Sequence, residues 1–134
     1  MSVTSQTILD GERLFIGKYT NIADAEAAAV LKIDVSGLNK NSHGYTCNGV
    51  KINKIWAQTA GIGVDILWDA DTDLIAVSIP ANELYKIDYS CFGGIPNNAG
   101  TGITGDVNFI TVGTASATTR YTIILECVKT YTTN

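Results

Sequence analysis

The chain has 134 residues, net charge −4 and a composition 46% hydrophobic but only 16% charged. That excludes a disordered polyelectrolyte and leaves ample apolar material for the core of one domain. It also excludes the basic footprint of a nucleic-acid or anionic-membrane binder, and no apolar run approaches the roughly 18 residues that span a bilayer.

The first residues, MSVTSQTILDGERLF, lack the basic start and apolar core of a signal peptide, so a protein that is cytosolic at synthesis is expected. Residues 1–29 have the weakest periodicity and read as an N-terminal arm. Within it, Arg13–Tyr19 predicts a short strand with Leu14 and Ile16 on one face. Asn21–Ala29 is the one stretch with helix propensity, with Asn21 as its N-cap.

Residues 30–134 predict the globular domain. Val30–Val35 alternates as a strand, and Ser36–Gly49 is a polar loop rich in Gly, Asn and Ser. Three β-rich runs follow, Val50–Gln58, Ile62–Trp68 and Leu74–Ile79. The links Thr59-Ala60-Gly61 and Asp69–Asp73 are so short that the runs are expected to be antiparallel neighbours in one meander. Ile62, Val64, Ile66 and Trp68 share one parity, so Trp68 is expected in the core, with Trp56 largely buried beside it. Pro80-Ala81-Asn82 closes the meander, and Leu84–Tyr89 alternates again.

Ser90–Gly105 is too long and Gly-rich for a simple turn and reads as either a functional loop or a contact loop. Asp106–Val112 and Thr119–Tyr131 are strands joined by the turn Gly113–Thr118, and 132–134 are a polar tail. About eight strands with turn signals every ten or so residues predict an all-β antiparallel sandwich or jelly roll.

Few residues carry a chemical signature. Asp69, Asp71 and Asp73 open like a calcium loop, but Leu74 stands where its glycine belongs and Pro80 where its final glutamate belongs; the trio reads as turn chemistry. His43 is the one histidine and lies in a polar loop, which leaves no histidine-based triad or histidine cluster within one chain. The glycines of 93–105 match no phosphate-binding pattern. Cys47, Cys91 and Cys127 are odd in number and widely spaced, so three free thiols are expected. Tyr45, Tyr85 and Tyr131 are ordinary strand or loop tyrosines that could also stack on a sugar or line an interface. No catalytic residue, metal or cofactor is predicted.

Six pieces carry a resemblance: Lys32-Ile-Asp-Val-Ser36; Ile55-Trp56; Val64-Asp-Ile-Leu-Trp-Asp-Ala70; Phe92-Gly-Gly-Ile95 with Asn97-Asn-Ala-Gly100; Gly105-Asp106; and Tyr121-Thr-Ile-Ile-Leu-Glu126. Over about Val30–Tyr131 the chain resembles small virion structural proteins of tailed bacteriophages. The resemblance implies a β-sandwich without enzymatic activity, on the capsid surface, that decorates and cements the major capsid protein lattice. Its expected partners are the major capsid protein and copies of itself, as a homotrimer. A tail- or fibre-associated carbohydrate- or receptor-binding module is the alternative. Contacts are expected from the apolar residues Leu9, Leu14, Phe15 and Ile22 of the arm, and from Phe92, Ile95, Asn97, Asn98 and Ile103 of the loop.

Overall fold

The computed structural model describes residues 2–26 and 28–131, whose backbone runs through nine strands: β1 Ser2–Asp10, β2 Leu14–Ile22, β3 Val30–Ile33, β4 Cys47–Ala60, β5 Gly63–Trp68, β6 Leu74–Ile79, β7 Leu84–Asp88, β8 Val107–Val112 and β9 Arg120–Tyr131. Met1, Ala27 and the tail 132–134 lie outside the described residues.

The strands form two antiparallel sheets. One is five-stranded in the order β1-β2-β9-β4-β7, and the other four-stranded in the order β3-β8-β5-β6. Strands β2 to β9 alone give β2-β9-β4-β7 against β3-β8-β5-β6, the connectivity of an eight-stranded jelly roll. The all-β sandwich expected from strand number and spacing is therefore the fold. Its core is one cluster drawn from both sheets, including Tyr19, Ile52, Ile55, Ile123 and Leu125 from the first and Ile66, Trp68, Ile79, Val107 and Phe109 from the second. Edge-on ring contacts of Phe109 with Tyr19 (centroids 5.2 Å apart) and Tyr121 (6.1 Å) join the layers.

The expected meander is corrected. Only β5 and β6 are sheet neighbours; β4 lies between β9 and β7 in the other sheet. The short link after Ala60 turns a sandwich corner, with Gly61 at φ +71. A short loop thus carried the chain across the layers instead of back along its own sheet.

Trp68 is 1% exposed, as its parity with Val64 and Ile66 requires. Trp56 is not in the core. Along β4, Val50 and Ile52 point inward, and unbroken alternation would send Trp56 the same way. Instead the pairing to β9 runs Ile52↔Cys127 and then Lys54↔Glu126, leaving Asn53 as an extra residue. This bulge reverses the phase, so Ile55 and Ala57 are buried and Trp56 faces outward, half-buried.

The N-terminal stretch read as an arm contributes two nine-residue strands to the larger sheet. β2 pairs with β9 along its whole length. Its inward residues are Phe15, Gly17, Tyr19 and Asn21, so Leu14 and Ile16 share one face, as expected, and that face is the outer one. Among the described residues, β2 is the one strand that β1 pairs with. The second sheet has no strand to place opposite it, and every residue from Val3 to Leu9 is exposed.

The expected helix at Asn21–Ala29 is absent among the described residues there. Instead this link carries Glu26, 5% exposed, into the end of the sandwich. Burial of that one side chain overrides a weak helical propensity.

Candidate functional site

The residues expected to make contacts divide. Phe15 is corrected: at 4% exposure it is core. Leu9 and Ile22 are exposed, at 43% and 42%, and Leu14 is half-buried on the outer face of β2. Leu14 and Ile22 lie at opposite ends of β2, so these apolar residues do not form one patch.

The loop 90–105 is anchored at its centre. Ile95 donates its N–H to the Ile52 carbonyl (2.8 Å) and accepts from Ile52 N–H (3.2 Å), so it adds a one-residue bridge to the inner half of β4. Gly94 sits at φ +92 with the Ile52 carbonyl against the place a Cβ would occupy, so only glycine fits there without displacement. Beyond the anchor, Phe92 is 64% exposed and Ile103 44%, and Asn98 is exposed. Asn97 is half-buried; its Oδ1 accepts from Ala99 N–H (3.2 Å), and it lines a shallow cleft with Ile103, Gly49, Lys51 and Thr130.

The aspartates are occupied as turn-builders. Asp69 accepts from the Thr104 hydroxyl (2.7 Å) and from Asn108 Nδ2 (3.2 Å), and Asp73 caps Ala70 N–H (3.1 Å). Asp71 contributes its backbone N–H to the Thr101 carbonyl (3.1 Å), which ties the β5–β6 turn to the long loop. Among the described residues no group of three or more His, Cys, Asp or Glu side chains converges as a metal site. His43 is exposed.

All three cysteines are free; Cys47 and Cys127 are buried and Cys91 is exposed. Burial pushes both core thiols up from their ordinary value, against a weaker lowering at Cys47 that includes the Lys129 charge. Thiol titration of the native protein without reductant is therefore expected to show one fast group, Cys91, and denaturation to release all three. Cys91→Ser should abolish the fast phase; a fast phase surviving it would mean that a core thiol is reachable.

The outer face of the five-stranded sheet was the least legible region in the sequence. Register places Lys86, Trp56, Ile124 and Lys18 side by side in one row across β7, β4, β9 and β2. Directly paired residues share a face, so these side chains project together. The next row toward one end holds Leu84, Gln58, Thr122 and Thr20, and the next toward the other holds Asp88, Lys54, Glu126 and Ile16. Two shallow hollows flank Trp56. One, about 330 Å³, is lined by Lys54, Trp56, Lys86, Ile87 and Asp88. The other, about 240 Å³, includes Trp56, Gln58, Leu84, Lys86, Thr122 and Ile124 in its lining. Lys54 lies 3.9 Å from Asp88 and 3.8 Å from Glu126, whereas Lys18 and Lys86 have no ion-pair partner among the described residues.

No family model, curated protein or solved structure matches the chain in comparison. No helix among the described residues is long and apolar enough to cross a membrane.

Proposed function

We propose that the chain is a non-enzymatic structural protein of a virus particle, a decoration protein that binds the outer shell and stabilises the lattice of the major capsid protein. Its partners in this reading are the major capsid protein and further copies of itself, closed as a homotrimer. The resemblance over Val30–Tyr131 supplies the particle, and the jelly-roll topology is compatible with it, since that fold serves viral shells as well as lectins.

The single observation that carries an adhesive function is β1. Edge strands are ordinarily kept short, charged, bulged or covered, because a free row of N–H and C=O groups recruits another strand. β1 is nine residues long, and Ser2–Leu9 contains no charge and no proline. Its single irregularity in pairing lies between Thr7 and Leu9. It overhangs the jelly roll with Val3, Ile8 and Leu9 exposed. Its far end is nonetheless fixed, because Asp10 ion-pairs with the buried Lys129 ammonium, which also donates to the Asn39 carbonyl (3.2 Å). A held, uncovered, uncharged edge suits repeated strand addition on a lattice, where many weak contacts act together.

The test is binding of the intact protein to undecorated capsids of the virus that encodes it, followed by heat challenge. The wild type is expected to bind and to raise the temperature of shell rupture. Ser5→Lys with Gln6→Lys guards both faces of β1 and should leave the fold intact while weakening capsid binding at least about tenfold, roughly 1.4 kcal/mol. Equal binding by the double variant removes β1 from the interface. Failure of the wild type to bind removes the decoration reading, and a monomer in sedimentation together with single copies in a particle map removes the homotrimer.

A further inference from the structure

We infer that the outer face of the five-stranded sheet around Trp56 is a binding platform for a carboxylated oligosaccharide, a function separate from shell binding and independent of it.

The ligand class follows from what the platform offers. β4 is hydrogen-bonded to β9 on one side and β7 on the other, so between Lys54 and Gln58 its backbone is engaged on both flanks. A peptide joining by strand addition would take a free edge; this face has side chains only. The hollows are open and shallow, so a wholly apolar ligand would leave most of its surface in water. A sugar ring suits the site better. Its C–H face lies against an indole that borders both hollows, and its hydroxyls meet the amide of Gln58 and the hydroxyl of Thr122 on one side and Lys54 and Asp88 on the other.

The charge selects an acid. The chain is net −4, so an anion is repelled by the molecule as a whole. On this face Lys86 stands directly beside Trp56, and Lys18 lies two strands away beyond Ile124, both without an ion-pair partner among the described residues. The row is thus apolar in the middle and cationic at both ends. Three strand spacings separate Lys86 from Lys18, about 14 Å, so a chain of several residues can place carboxylates near both. Lys54 already lies between two carboxylates, Asp88 and Glu126, which together outweigh its charge and leave Lys86 as the principal carboxylate contact.

The experiment uses the intact protein and ¹⁵N-labelled tryptophan. There are two indole N–H signals, from Trp56 on the platform and Trp68 in the core. Titration with trigalacturonate is expected to shift the Trp56 signal and leave Trp68 in place. The fully methyl-esterified trisaccharide, of the same shape without charge, should bind about tenfold more weakly, the scale of one charge-assisted contact. Lys86→Gln, an exposed position, should reproduce that loss for the acid and leave the ester unaffected. Trp56→Ala should remove binding of both while Trp68 keeps its wild-type position, the sign of an intact core. The inference is overturned if trigalacturonate moves neither indole up to about 10 mM, beyond the millimolar range of weak contacts. It is also overturned if hexaglutamate shifts Trp56 as strongly as the sugar does, since the face would then read charge alone, or if both indoles move together.

Discussion

Trp68→Ala is expected to lower stability by about 3–5 kcal/mol, the range for deleting a large buried aromatic. Trp68 ends β5, inward with Val64 and Ile66, and is paired to Val107 on β8 and Leu74 on β6. It is among the largest side chains that are fully buried. Directly after it, Asp69 begins the turn that is bonded to Asn108 and Thr104, so the cavity opens beneath a hydrogen-bonded corner with little freedom to collapse. Urea unfolding should show a lower midpoint with the slope unchanged, since the same surface is exposed. Trp56→Ala is the matched control. Half-exposed on the outer face, it should cost well under half as much. Equal losses at the two positions would contradict the inward and outward assignment.

That contrast marks the limit of what the sequence discloses. Strand identity was legible wherever one face is buried and the other wet. β9 starts one residue after the predicted run and ends with it, because its burial alternates regularly along the strand. β1 was illegible for the converse reason. With neither face buried, SVTSQTILD has no alternation to read. Trp56 was misplaced because one extra residue, Asn53, changes the phase midway along β4, and nothing in the letters KINKIW announces a bulge. The meander failed because loop length fixes how far the chain can travel, not which of two layers it returns to. At the site, exposed Phe92 and Ile103 were found by composition, while Phe15 was assigned to a contact and lies in the core. The platform around Trp56 exists only through cross-strand register, which brings positions 18, 56, 86 and 124 into one row.

Glu26→Ala is expected to be the second large loss, about 3–5 kcal/mol, because it strips a buried ammonium of its partner. Glu26 sits on the link between β2 and β3 and joins the two sheets. Its Oε1 accepts from Asn21 Nδ2 of β2 (2.9 Å) and from the Tyr121 hydroxyl of β9 (2.5 Å). Its Oε2 forms an ion pair with Lys32 Nζ of β3 at 2.8 Å, with both side chains buried. Its backbone exchanges bonds with Thr111 of β8, N–H to Oγ1 (2.8 Å) and carbonyl from N–H (2.9 Å). The Lys32 ammonium lies 5.8 Å from the centre of the Phe109 ring and loses its carboxylate in the variant. The double variant Glu26→Leu with Lys32→Met should recover much of the loss, since a buried pair replaced by apolar groups of similar size is often close to neutral. The pH dependence tests the charge itself. Burial raises the Glu26 carboxyl, but the bonds from Lys32, Tyr121 and Asn21 and the Lys32 charge outweigh it, so its pKa lies below the ordinary value. A carboxylate depressed on folding contributes stability that is full above the unfolded value, about 4.3, and is lost as pH falls through the lower folded value. Wild type should therefore lose more stability than the Glu26→Leu, Lys32→Met variant between about pH 5 and pH 3. Parallel acid profiles for the two proteins would show that Glu26 holds no depressed charge in the fold.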